Sequence, residues 1–495
     1  MMQTNLKPIA AGIASALLLS ACTLAPSYRQ PEVNVPAQFR YDTAAGQSVS
    51  RAADTGWEDY FADPRLKSLI TLALKNNPDL RMAALNAEAV RAQYVITRAA
   101  SLPGINASGT GQRARVAQDL SSTGQSYIAE SYNVGLGIAS YEIDLFGKAR
   151  SNNRAALQSY FSSVAARDSA HLSLVSSVAK AYFNERYAEE SMKLAQRVLQ
   201  TREQTYRLNQ IQHNAGVISA VNLREMEGLI ESAKADYAAA LRAREQAHNA
   251  LVTLINQPVP ANLPAGLPLD KQFRITKLPA GLTSDVLQNR PDIRAAEHNL
   301  RQANANIGAA RAAFFPSISL TSTIGTGSTE MKRLFDGVNR TWVFSPTINV
   351  PIFNWGSLRA SLDVAKLRQQ SAVAAYEKAV QSAFQDVSNA LVARETLQQQ
   401  YDSRLQTQKA YNDRLRLINL RYRHGVSSSL EVLDAERSSY SADSAVLATQ
   451  LNMLENLADL YKALGGGLKQ YSEAAPAANA AAGNASAPAE AGSSK

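Results

Sequence analysis

A chain of 495 residues, 45% apolar and 19% charged, carries enough apolar mass for a sizeable core, and length alone would divide it into about two to four domains. The formal charge is +9, yet 51 basic residues are interleaved with 42 acidic ones rather than gathered into a stripe, which argues against a nucleic-acid-binding face. Cys22 is the only cysteine, so no disulfide can form within the chain and packing must hold the fold.

In chain order, Lys7 precedes an apolar run from Ile9 to Leu19 that is too short to span a bilayer, the pattern of an export signal over residues 1–21. Leu19-Ser20-Ala21-Cys22 then resembles the bacterial lipobox, which makes Cys22 the acceptor of a diacylglycerol and an N-acyl lipid and the start of a lipid-anchored tether over 22–56. Known lipoproteins held in the inner membrane favour aspartate at the next position; Thr23 stands there, which points to the outer membrane. No later stretch has the length of apolar residues that a membrane helix requires, so any membrane span must be a β-barrel.

The chain is written twice. Asn77-Pro78-Asp79-Leu80-Arg81 returns as Arg290-Pro291-Asp292-Ile293-Arg294, 213 residues on, and at that offset Arg98-Ala99-Ala100, Pro103 and Ile105 fall on Arg311-Ala312-Ala313, Pro316 and Ile318. Ala215-Gly216-Val217 returns as His424-Gly425-Val426 at an offset of 209, and between them Leu145-Phe146-Gly147 resembles Ile352-Phe353-Asn354. A repeat of about two hundred residues is far longer than a solenoid unit. It predicts one structural unit over 57–257 and a second over 283–467.

Within each half the pattern reads helix, two strands, long helix, tight break, long helix. From about Leu66 to Ala100 apolar residues recur at three and four, which predicts a helix ended by Pro103. Val134, Leu136 and Ile138 then alternate with Asn133, Gly135 and Gly137, which is strand periodicity. In the second half Ile318, Leu320 and Ile324, and later Trp342, Phe344 and Ile348, repeat the switch, although Pro346 and Pro351 are unsuited to a central strand. Lys148 to about Asn214 and Gly356 to about His424 contain no proline; at about 1.5 Å per residue each predicts a helix of roughly 100 Å, suited to a bundle or the wall of a tube. Residues 258–282 are proline-rich and non-periodic, a linker, and 468–495 have the composition of a disordered tail.

Four strands cannot close a membrane barrel, because the smallest examples need about eight and an open edge leaves backbone groups unpaired in lipid. Three chains would supply twelve strands and room for a pore. Trp57 to Leu66, the repeated Pro-Asp turns, Tyr141 to Gly147, Ala312-Ala313-Phe314-Phe315-Pro316, Tyr422 to Asp434 and Tyr461 to Gly467 together resemble the outer-membrane factor, or TolC-like, family in its OprM-type lipoprotein branch. The likeness covers about residues 22–470. It implies a mainly α fold with a membrane β-barrel: a homotrimer whose twelve-stranded barrel continues into a twelve-helix periplasmic α-barrel, closed at its far end until partners engage.

Gly216 and Gly425 each end a long helix and precede Val217 and Val426, as expected where the chain reverses through positive φ. These turns are the predicted periplasmic tips, where an adaptor would dock. After the second turn, Leu430, Asp434 and Arg437 share one helix face at spacings of four and three, and Glu225 is the first-half counterpart of Asp434. The spacing alone equally fits a solvated charged face. The family's constriction has Tyr, Leu, Asp and Arg at positions matching Tyr422, Leu430, Asp434 and Arg437, and so implies a gate with an apolar plug and ion pairs.

The histidines at 171, 213, 248, 298 and 424 show no metal-ligand spacing and read as solvated helix residues; no phosphate loop or nucleophile elbow is present. The reading is therefore a passive duct rather than an enzyme, with no metal and no cofactor beyond the lipid on Cys22. An inner-membrane transporter, proton-driven by the resemblance, would supply energy through a periplasmic adaptor for expelling drugs or other small toxic molecules. Two alternatives stand beside it: the duct of an ABC-driven type I secretion system, and a non-channel periplasmic coiled-coil scaffold.

Overall fold

The computed structural model describes residues 24–36, 39, 56–122, 124–272 and 290–466. The signal, Cys22, Thr23 and the tail over 468–495 lie outside them.

Breaker residues set the first elements. A one-turn helix α1 (Trp57–Tyr60) leads into α2 (Pro64–Asn76) and α3 (Pro78–Ala99). The apolar spacing predicts a single helix here, but the chain turns out of it at Asn77, with φ −62 and ψ 127, because the Pro78 ring drives the preceding residue from the helical region. Asn77 also caps the next helix: its Oδ1 accepts the Leu80 N–H at 3.0 Å while its amide donates to the Leu254 carbonyl at 2.9 Å.

The remaining elements are β1 (Ile105–Val116), β2 (Tyr127–Ile143), α4 (Lys148–Asn214), α5 (Ala220–Ile255), α6 (Pro291–Ala312), β3 (Ser317–Ser328), β4 (Arg340–Asn349), α7 (Ser357–Arg423) and α8 (Ser429–Ala463). Helices α4 and α7 each contain 67 residues. No described helix is long and apolar enough to cross a membrane.

The described residues form two compact units, which fall within the following bounds. One comprises Met1–Glu32, Leu85–Val164 and Ala295–Glu377 and contains the sheet, antiparallel throughout in the order β1-β2-β3-β4. Register places Leu136 opposite Ile324 and Ile324 opposite Trp342, with Ile138, Ser322 and Phe344 two residues away on the same face. Leu136, Ile324, Trp342 and Phe344 are exposed, so the apolar face of the sheet is uncovered, as a lipid-facing surface must be. Pro346 is accommodated because β4 is an edge strand. The described part of the tether is docked on α6: Arg311 donates to the Leu24 carbonyl at 3.0 Å, Asn304 to the Pro26 carbonyl at 2.8 Å and Tyr28 to the Glu297 carboxylate at 3.1 Å.

The other unit comprises Val33–Ala84, Ala165–Arg294 and Lys378–Lys495. Its core packs Phe61, Leu66 and Ile70 against Tyr182 and Phe183 of α4, Leu251 and Ile255 of α5 and Leu454 and Tyr461 of α8. Each such fully buried side chain stabilises by roughly 1.5–3 kcal/mol. Asp63, wholly buried, meets four donors: the N–H groups of Arg65 and Leu267 at 2.8 Å, the Tyr182 hydroxyl at 2.6 Å and the Gln272 amide at 2.7 Å. A buried carboxylate is tolerable only when so satisfied. The donors from Leu267 and Gln272 tie the segment after α5, which includes a 3-10 turn over Leu269–Lys271, to this core.

Candidate functional site

The two hairpin tips share one backbone solution. Gly216 holds φ +76 and Gly425 φ +72, a region that glycine enters without side-chain strain. The Val217 N–H reaches the Gln212 carbonyl at 2.8 Å and the Val426 N–H reaches that of Arg421 at 2.9 Å, satisfying carbonyls that each helix end would otherwise orphan. Nothing lies within 4 Å of a Cβ built on either glycine, so conformation rather than crowding demands the residue.

The return helices are capped differently. Ser219 Oγ accepts the Asn222 N–H at 3.3 Å. Ser428 completes a capping box: its Oγ accepts the Glu431 N–H at 3.3 Å while its own N–H donates to the Glu431 carboxylate at 2.9 Å, which helps hold that carboxyl below its usual range. Val217, Val426 and Leu430 are all exposed, as is Val221, the first-half counterpart of Leu430.

Above the second tip, Asp434 accepts from two guanidiniums, Arg414 of α7 at 2.7 Å and Arg437 of its own helix at 3.0 Å. Both hold its carboxyl below the usual aspartate range. The Arg437 contact is an i,i+3 pair within α8, so Arg414 is the cation that ties one helix to the other. Leu430, Asp434, Arg437 and Glu225 all line one cavity of about 800 Å³ between the helices. Tyr422, half-buried on α7, is not part of its wall.

Further residues join this site that residue spacing along one helix had not picked out. Glu436 pairs with Arg202 of α4 at 3.2 Å, both side chains mostly buried; burial pushes the Glu436 carboxyl up and Arg202 opposes that. Near the first tip, Glu227 accepts from Tyr206 at 3.0 Å and from Arg224 at 2.5 Å. A sequence signal for these partners exists. In an antiparallel hairpin, facing residues lie equally far from the turn: Arg414 and Asp434 each stand ten residues from His424, while Tyr206 and Glu227 straddle Gly216 and Val217.

The histidines are not all solvated helix residues. His248 pairs with Glu185 at 2.7 Å, His298 with Gln158 at 2.8 Å, and burial lowers the pKa of His171. Each sits on a packed helix face, where periodicity alone cannot distinguish a partnered imidazole from an exposed one. Among the described residues no group of three or more metal-ligating side chains comes together.

Comparison with known proteins places this geometry. The family model described as "Outer membrane efflux protein" matches residues 69–257 and 282–466. The probable efflux pump outer membrane protein TtgC of Pseudomonas putida is 45% identical over 456 residues, covering 92% of this chain and 94% of its own. Outer membrane protein OprJ of Pseudomonas aeruginosa is 42% identical over 453 residues, covering 91% and 94%. Among solved structures, the open state of the Neisseria gonorrhoeae MtrE outer membrane channel is 60% identical, with a TM-score of 0.83 over 90% of this chain and 99% of that one.

Proposed function

The chain belongs to the outer membrane efflux protein family, and from that membership we propose that it is the passive outer-membrane exit channel of a tripartite efflux pump. The observation that carries the reading is the sheet: four strands with two open edges and an uncovered apolar face, in a chain whose described helices cannot span lipid. Such a sheet needs other copies of itself to close, and three copies supply the twelve strands of a pore-sized barrel. The chain then divides into a signal over 1–21, a tether over 22–56, structural repeats over 57–257 and 283–467 separated by a linker, and a tail over 468–495. Cys22 carries the diacylglycerol and N-acyl lipid. Labelled palmitate should enter the wild-type protein and not a Cys22→Ser variant.

A duct couples no energy itself. A periplasmic adaptor docks on the exposed Val217 and Val426 beside Gly216 and Gly425, and links the channel to a proton-driven inner-membrane transporter. The relatives named as efflux pump components support that assignment.

The tip is the gate. Leu430 narrows the lumen as an apolar plug, Tyr422 supports it from α7, and Asp434 with Arg437 holds the helices closed, Arg414 making the link across the hairpin. Glu225 adds a first-half carboxylate to the same cavity, so the closed tip favours cations over anions. The test is single-channel conductance in planar bilayers. Wild-type channels should open rarely, and Asp434→Ala/Arg437→Ala channels severalfold more. Equal conductance would remove the gate and leave the duct; no conductance by either protein would return the chain to the scaffold reading.

A further inference from the structure

The two ends of the sheet carry different charge. At one end the strands are joined by the connections over 117–126 and 329–339; at the other they run into α3, α4, α6 and α7. The two helical turns nearest the strands hold Arg98, Lys148, Arg150, Arg154, Arg311 and Arg359 against a single carboxylate, Asp363. At about 1.5 Å per residue, all of them lie within roughly 10 Å of a strand-side helix end. The junctions themselves add only Glu142 and Asp144.

Half of those cations are occupied. Lys148 pairs with Glu142 and Arg150 with Asp144, both at 3.1 Å, while Arg311 donates to the Leu24 carbonyl at 3.0 Å. Asp363 is paired with Lys366, further along α7, at 3.7 Å. Arg98, Arg154 and Arg359 are exposed, and their side chains make no ion pair or hydrogen bond among the described residues. The loop end of the sheet is nearly balanced, with five cations and four carboxylates over 113–130 and 330–340. There Arg113 meets Glu130 at 2.9 Å, Lys332 meets Glu330 at 3.2 Å and Arg333 meets Asp336 at 3.4 Å.

The helix end also carries an exposed aromatic pair. Phe353 and Trp355 meet edge to face at 4.6 Å and are 73% and 88% exposed. Trp355 holds φ +52, a strained backbone for a bulky residue, and so exposed a ring has little packing within the chain to offset that strain. Arg359 stands four residues further on. Aromatic rings at the level of the glycerol and headgroups, with guanidiniums beside them, are the chemistry of a membrane rim. The helices that begin here cannot lie in lipid, so this rim faces the periplasm.

We propose that the rim is a binding surface for anionic glycerophospholipids of the periplasmic leaflet. Their phosphates pair with Arg98, Arg154 and Arg359, and the glycerol and upper acyl region rests against Phe353 and Trp355. The inference rests on the reading of the sheet as part of a membrane barrel and adds which lipid that barrel selects. A guanidinium fork matches phosphate geometry, but an exposed ion pair with a free anion is weak. A leaflet presents its phosphates at a fixed depth, beside apolar chains that the aromatic rings can cover, and each arginine near such a surface contributes about fivefold to binding.

The test uses the full-length oligomer in detergent, titrated with phosphatidylglycerol or phosphatidylethanolamine of the same acyl chains, with retained lipid read by native mass spectrometry. Phosphatidylglycerol should be retained in preference by about tenfold or more, and the preference should shrink as salt is raised. Arg98→Gln/Arg154→Gln/Arg359→Gln should bring the ratio close to one, whereas lysine at the same three positions should keep most of it. Arg113→Gln/Arg340→Gln, at the loop end, should leave it unchanged. Trp355→Ala should lower retention of both lipids, and Trp355→Phe should restore it.

Equal retention of the two lipids by wild type, an unchanged ratio in the triple glutamine variant, or displacement of phosphatidylglycerol by inorganic phosphate overturns the lipid surface. Should the triple variant fail to assemble, Arg359→Gln alone must lower the ratio about fivefold, and no change there also overturns it. Conductance in planar bilayers separates this inference from the reading beneath it. A wild-type protein that conducts without discriminating between the lipids loses the surface and keeps the duct; one that neither inserts nor conducts loses both.

Discussion

The two helical hairpins are built on one backbone and finished with different side chains. Their glycines share a φ within a few degrees and their closing hydrogen bonds agree to about 0.1 Å, yet only the second tip has a capping box and an arginine that crosses to a carboxylate on the facing helix. At the first tip the crossing bond comes from a tyrosine, Tyr206, while Arg224 lies on the same helix as its carboxylate. Duplication has kept the turn, which geometry constrains, and released the polar contacts, which several residue sets can satisfy. The hairpin with the stronger interhelical tie is the one expected to govern opening.

The largest expected effect tests that asymmetry directly. Arg414→Ala should raise single-channel conductance severalfold, because it removes the only link from Asp434 to α7 among the described contacts, while Arg224→Ala should leave conductance near wild type. Equal responses would show that the two hairpins open as equivalents.

Next in size are the turn glycines, where the hairpins should behave alike. Gly216→Ala and Gly425→Ala each place a side chain in left-handed backbone without steric contact, and each should cost about 1–2 kcal/mol in thermal or denaturant unfolding. The caps should separate the hairpins again by a smaller margin: Ser428→Ala loses both arms of a capping box, about 1 kcal/mol, and Ser219→Ala a single bond, about 0.5 kcal/mol.

The smallest effect is a pH dependence. The fold favours protonated Glu436, whose pKa is raised above 4.5, so that contribution is complete below 4.5 and is lost as pH rises through the raised value. Asp434 has the opposite sign. Its pKa is depressed below 3.8, so its links persist from neutral pH through 3.8 and break only as pH falls through the depressed value. On acidification, conductance should therefore change in two steps, and Glu436→Gln should abolish only the step at the higher pH.

The sheet and the long helices were legible because their signals are local. Alternation at Val134, Leu136 and Ile138 marks a strand, and a proline-free run from Lys148 marks a helix. The break at Asn77 was equally local, signalled by Pro78 and masked by strong apolar spacing on either side. At the proposed gate, the Asp434–Arg437 pair follows from spacing on one helix, but Arg414 and Arg202 come from other helices and need the folded hairpin, or its mirror rule, to be found.

The equal length of α4 and α7, 67 residues each, makes the helices a matched pair of rulers. Deleting one residue from a continuous helix turns everything beyond it by about 100° and shortens it by about 1.5 Å. A deletion in α4 alone would swing Val217 away from the bearing that Val426 keeps, while compensating deletions in both helices would turn the two tips together. Insertions and deletions in this gene should therefore be confined to the stretches outside these helices, and the difference between the 213-residue and 209-residue offsets arises in just such a place, between the first strand of each half and the start of the long helix that follows.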